Sequence, residues 1–137
     1  MNRLIVAYVA TLVCFCAIDF LWLAFVVRDW YHTEIGGLLR DRPNWPVVVV
    51  FYLLYILGVV YLCVRPALNR APWHEPLLGG ALFGLCAYGT YDLTNLATLR
   101  GWTILVAVVD MAWGAVATGA AALFGTMVAR AFTGGRR

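Results

Sequence analysis

With 137 residues, 64% of them hydrophobic and only 12% charged, the chain lies far from the make-up of a soluble domain, which carries about a quarter charged residues. It reads as a single integral membrane domain over residues 1–137. The net charge of +3 is spread over scattered arginines, with no lysine at all, which argues against nucleic acid as a partner. The chain contains no serine, so serine-type nucleophilic catalysis is excluded as well.

The first apolar stretch covers about residues 4–27, enough to cross the hydrocarbon core at about 20 residues per span. Its length, and the presence of Asp19 and Trp22 within it, argue for a retained helix rather than a cleaved signal. Residues 28–45 form a polar connection. Tyr31, Ile35, Leu38 and Leu39 would share one face of a short interfacial helix, although Gly36-Gly37 weakens that pattern. A solvated loop with aromatic anchors is the alternative. Asn44-Trp45-Pro46 is a helix-start signature, with Asn44 as the expected cap.

The second span, about 47–64, has no charge and is expected to serve packing and lipid contact. A loop with three prolines, residues 65–76, leads to the third span, about 77–99. Arg100-Gly101-Trp102 is a tight turn, so the third span and the fourth, about 103–129, must be antiparallel neighbours. A polar tail is expected from Arg130 onward.

The expected fold is therefore all-α: an integral membrane four-helix bundle with both termini on the same side. That side holds Arg3, Arg65, Arg70, Arg130, Arg136 and Arg137. The other holds Arg28, Arg40, Arg42 and Arg100, diluted by Asp29, Glu34 and Asp41. The positive-inside rule makes the terminal side cytoplasmic.

Three aspartates fall within these spans, and each costs on the order of 2.5–3.5 kcal/mol at a helix centre. Asp19 lies nine residues before Arg28, Asp92 eight before Arg100 and Asp110 eight after Trp102. All three distances run to the same membrane face, so one polar layer about 12 Å below the non-terminal surface is expected. No arginine, lysine or histidine shares that level, and at least two of the acids are expected to be uncharged at neutral pH.

Around these acids, Gly84, Tyr88, Asp92 and Asn95 share a face, with Tyr91 beside it. Asp19 with Trp22, and Asp110 with Trp113, repeat a D-x-x-W spacing on the first and fourth spans. The expected ligand-binding set is Asp19, Trp22, Tyr88, Tyr91, Asp92, Asn95, Asp110 and Trp113. Asp92, Asp110 and Asp19 are the candidates for any catalytic role. Gly80-x-x-x-Gly84, with Ala115-x-x-x-Gly119 and Ala121-x-x-x-Gly125, would let the third and fourth helices approach closely. No metal site and no cofactor is expected. Zinc and di-iron sites need histidine pairs that the spans lack, and the four cysteines read as apolar packing groups.

The strings Asp19-x-x-Trp22-Leu23, Tyr91-Asp92-Leu93-Thr94-Asn95-Leu96-Ala97-Thr98-Leu99 and Asp110-x-x-Trp113-Gly114 carry a resemblance. Together they resemble an uncharacterised bacterial family of predicted membrane proteins with a domain of unknown function. The resemblance extends over nearly the whole chain. It implies a four-helix inner-membrane protein and supplies no activity.

The leading reading is a small binding protein that holds a lipid or another lipophilic ligand in a polar and aromatic cavity within the membrane. The alternatives are a lipid-modifying enzyme using an aspartate as general acid or base, a proton-coupled transporter acting as an oligomer, and a structural subunit of a membrane complex. Expected partners are membrane lipids or a lipophilic small molecule, with a homo-oligomer or a membrane-protein partner as further alternatives.

Overall fold

The computed structural model of the chain describes residues 2–69 and 71–134, with side chains as far as residue 132. Among the described residues there are helices and turns but no strand. Helix α1, Arg3–Leu21, starts where the Asn2 side chain accepts the Leu4 N–H at 3.1 Å. It passes without a break into a π-helical turn, Trp22–Val26. After Val27 the chain turns into α2, Arg28–Ile35, followed by a 3₁₀ turn, Gly36–Leu38. The connection is therefore helical. It stops at the glycine pair, so Leu38 and Leu39 do not extend the face of Tyr31 and Ile35.

Helix α3, Trp45–Val59, continues through a second π-helical segment, Val60–Val64, into α4, the short turn Arg65–Ala67. Pro46 sits in the first turn as the sequence suggests, but Asn44 makes no side-chain cap. Helix α5 runs His74–Thr98 and α6 Ile104–Gly134. The polar tail expected from Arg130 thus begins as helix.

Three helices are long and apolar enough to cross a membrane: Arg3–Val26, Trp45–Ala67 and Ile104–Phe132. The expectation of four spans is met by three on this ground. Helix α5 has the length, at 25 residues. Its second half dilutes its hydropathy with Thr90, Asp92, Thr94, Asn95 and Thr98.

The longest helix, α6, lies between α1 and α5 and packs most extensively on α5. The turn between α5 and α6 holds Gly101 at φ 89°, a conformation that favours glycine. Small residues then set the approach of the two helices. A Cβ on Gly80 would lie 2.8 Å from the Ala122 Cβ, and one on Gly84 would collide with the Gly114 carbonyl and with Thr118. Gly119 meets the Leu77 carbonyl and Ala81 across the same seam. Gly125 belongs elsewhere, because it faces Ala7 and Thr11 of α1. Of the two small-residue motifs on α6, the first therefore serves α5 and the second serves α1.

The core combines Phe15, Tyr55, Ile56, Val59 and Val64 with Ala117, Ala121 and Ala122. Large side chains such as Phe20, Leu54, Val108 and Val116 point outward. Close-packed small residues inside and bulky apolar groups outside is the arrangement of helices surrounded by lipid.

At one end, Arg3 donates to the Leu68 carbonyl and to Asn69 Oδ1, and Arg130 donates to the carbonyls of Ala67 and Ala71. The start of α1, the end of α4 with the turn after it, and the last part of α6 therefore gather together. Arg70, Arg136 and Arg137, three of the six arginines in the orientation argument, lie outside the described residues.

Candidate functional site

The three aspartates do not share one set of partners. Asp19 stands apart, with its carboxyl oxygens satisfied from two other helices. The Tyr52 hydroxyl of α3 donates to Oδ2, and the Trp113 Nε1 of α6 donates to Oδ1 at 2.9 Å. Trp113 lies three residues beyond Asp110 along α6, an axial step of about 4.5 Å. The indole of Trp22 stacks on that of Trp113, with centroids 4.3 Å apart and planes 2° from parallel. The repeated D-x-x-W spacing is thus put to a single use: the two tryptophans meet, and one of them also bonds the other helix's acid.

Asp92 and Asp110 adjoin each other across the α5–α6 seam. Asp110 is half-buried and accepts a hydrogen bond from the Tyr31 hydroxyl of α2. Tyr31 lies outside the spanning segments. Burial, together with the Asp110 carboxyl, pushes its phenol well above the usual tyrosine range, so it remains a donor at physiological pH.

Asp92 differs from both. It is 0% exposed, and neither of its oxygens has a hydrogen-bond partner. Asp110 and Trp102 are the polar side chains beside it. The indole Nε1 atoms of Trp102 and Trp22 are also buried without partners. Trp102 lies beside Asp92, and Trp22 lies beside the Tyr31 hydroxyl that bonds Asp110. Burying a polar group unpaired costs about 1–3 kcal/mol, and native structures hold few such groups. Two carboxyl oxygens and two indole N–H groups left unpaired in this part of the chain are suited to binding something polar.

The remaining residues singled out from the sequence lie at the edge. Tyr88 fits its ring into the notch left by Gly114, where a Cβ would collide with it. Tyr91 is 55% exposed and meets Trp102 edge-on at 5.3 Å. Asn95 lies beside the Tyr91 hydroxyl. The structure therefore brings Asp92 with Asp110, and Asp19 with Trp22 and Trp113, while Tyr91 and Asn95 stand at the outer edge.

Three residues of the site were not singled out from the sequence: Tyr31, Tyr52 and Trp102. Tyr52 sits on a span without charge and Tyr31 on a connection. A signal was nevertheless present. Buried acids in spans that lack every basic residue need neutral donors, and tyrosine and tryptophan supply the longest ones. A groove of about 380 Å³ opens between the π-helical segment of α3 and the start of α5, lined by Leu62, Cys63, Pro66, His74 and Leu78 among others. Its α5 lining lies about 20–27 Å from Asp92 along the helix, and it takes no part in the acid cluster.

A helical chain with three membrane-crossing segments and carboxyl groups held between them is an integral membrane protein. Within that class, the chain belongs to the family described as predicted membrane protein (DUF2177), which it matches over residues 4–127. No curated protein and no solved structure matches it.

Proposed function

We propose that the chain is a four-helix inner-membrane protein, with both termini cytoplasmic, that binds a lipid or other lipophilic ligand at the Asp92–Asp110 cluster. Support for placing α5 in the membrane comes from its outer surface. Leu78, Leu82 and Leu93 are exposed there, and the hydroxyls of Thr90, Thr94 and Thr98 donate to carbonyls on the preceding turn of their own helix. A lipid-facing hydroxyl satisfied within its own helix removes the main cost of burying it. The positive-inside count from the sequence supports the orientation.

The observation that carries the binding reading is the buried Asp92 carboxyl, whose oxygens make no hydrogen bond, with the unpaired indole N–H of Trp102 beside it. A fold built only for stability would have paired or replaced them. The test is purification of the full chain in mild detergent, followed by mass spectrometry of the co-purifying lipids. One species enriched with the wild type and depleted with Asp92→Asn supports binding. Identical lipid profiles for the two proteins count against it.

A second reading is favoured by one feature, the adjoining carboxyls of Asp92 and Asp110. Two acids side by side in a dry site do not both ionise readily, so one can hold a proton while the other accepts one. That is the equipment of a lipid-modifying enzyme with an aspartate general acid and base. The lipid composition of a deletion strain, complemented with wild type or Asp110→Asn, separates catalysis from binding.

A further inference from the structure

The unpaired groups of the site also constrain what they can hold. This step rests on the binding reading above and asks which polar group the ligand carries. The spans contribute no arginine, lysine or histidine to the site, while Asp92 and Asp110 are both present. An anionic headgroup such as a phosphate or a carboxylate would meet two acids and no counter-charge. An ammonium group could donate to the acids but could accept nothing from the indoles of Trp22 and Trp102. An ether or ester oxygen could accept from the indoles but could donate nothing to Asp92. A hydroxyl does both. It donates to a carboxylate oxygen and accepts from an indole N–H, and if Asp92 holds a proton the hydroxyl can still accept from it.

We infer that the site takes the hydroxyl of a lipophilic alcohol, with the apolar remainder of the molecule lying toward the bilayer past Tyr91 and Trp102. The route follows from placement. Tyr91 faces outward and meets Trp102 edge-on, and Trp102 in turn adjoins Asp92, so this aromatic pair links the carboxyl to the outer surface. Trp102 is carried by the α5–α6 turn rather than by a helix, beside Gly101, around which a Cβ would meet nothing within 4 Å. Of the walls of the site, it is the one whose backbone is least held.

The experiment uses the full chain in detergent and four probes of equal chain length: tetradecan-1-ol, tetradecyl methyl ether, tetradecylamine and tetradecanoic acid. Binding is followed by tryptophan fluorescence and by the thermal midpoint. A hydrogen bond to a charged acceptor, present for the alcohol and absent for the ether, predicts that the alcohol binds roughly tenfold more tightly. Asp92→Leu should abolish that preference, and Trp102→Phe, which keeps a ring and removes the N–H, should reduce it. Equal binding of alcohol and ether overturns the hydroxyl assignment and leaves the lipophile reading standing. Tighter binding of the amine or the acid also overturns it. A preference for the alcohol that survives in Asp92→Leu places the hydroxyl elsewhere and overturns it as well. Failure of all four probes to bind overturns both readings together.

Discussion

Replacing Gly84 with alanine tests the α5–α6 seam on which the site is built. The added methyl carbon would point at the Gly114 carbonyl and would sit 2.5 Å from the Thr118 Oγ1 and 2.7 Å from its Cβ. A flexible side chain could swing aside, but a carbonyl in the middle of α6 cannot move without moving the helix. The two helices must therefore separate along a seam that small residues otherwise close. Overpacking of this kind costs typically about 1–3 kcal/mol, and the backbone obstacle places this position at the upper end. Gly79→Ala is the control. Its Cβ would lie 4.0 Å from the Cys63 Cβ, an ordinary contact, and alanine favours the helix by roughly 0.5–1 kcal/mol. The assay is thermal unfolding in detergent, followed by labelling of the four free cysteines with a fluorogenic maleimide. Gly84→Ala should melt well below wild type and Gly79→Ala at or above it. Equal midpoints for the two variants would refute the seam as described.

Three further expectations concern the polar groups. Asp92→Leu should stay within about 1 kcal/mol of wild type or exceed it, since the native carboxyl has no partner to lose, whereas Asp19→Leu should cost about 1–3 kcal/mol by stranding Tyr52 and Trp113. Denaturation in mixed micelles with increasing sodium dodecyl sulfate measures both. Tyr31→Phe should release α2 from Asp110, with faster hydrogen exchange confined to residues 28–35 and a loss of roughly 1 kcal/mol in overall stability. Trp22→Leu removes the parallel stack on Trp113 and should cost about 1 kcal/mol beyond the lost area, with a change in near-ultraviolet circular dichroism as its signature.

What could be read ahead of the structure follows a physical division. Features repeating within one helix were legible. The Gly80–Gly84 spacing, the Tyr88–Asp92–Asn95 face and the Arg100-Gly101-Trp102 turn depend only on local geometry and on a short loop. The depth of each aspartate was counted along its own helix, and at that level the count gave one common layer. Relations between helices were not legible. The pairing of Asp92 with Asp110, and the departure of Asp19 to Tyr52 and Trp113, depend on how far each helix is turned about its axis. Helix α5 fell short as a span because the groups that make it interesting are the ones that lower its hydropathy.

The π-helical turn Trp22–Val26 lies between Asp19 and the Tyr31 phenol that meets Asp110. Such a turn holds one residue more than an α-helical turn of the same length, so it behaves as a local insertion that the helix has absorbed. Deleting one residue from that turn would therefore let the helix relax to its ordinary pitch with the residues after it close to their present orientation, because four α-helical residues and five π-helical ones turn the chain through about the same angle. Deleting a residue from the start of α2, between Val27 and Tyr31, would instead turn Tyr31 by about 100° and away from Asp110. The π-helical turn is thus a place where the chain can change length while the side chain offered to Asp110 stays the same.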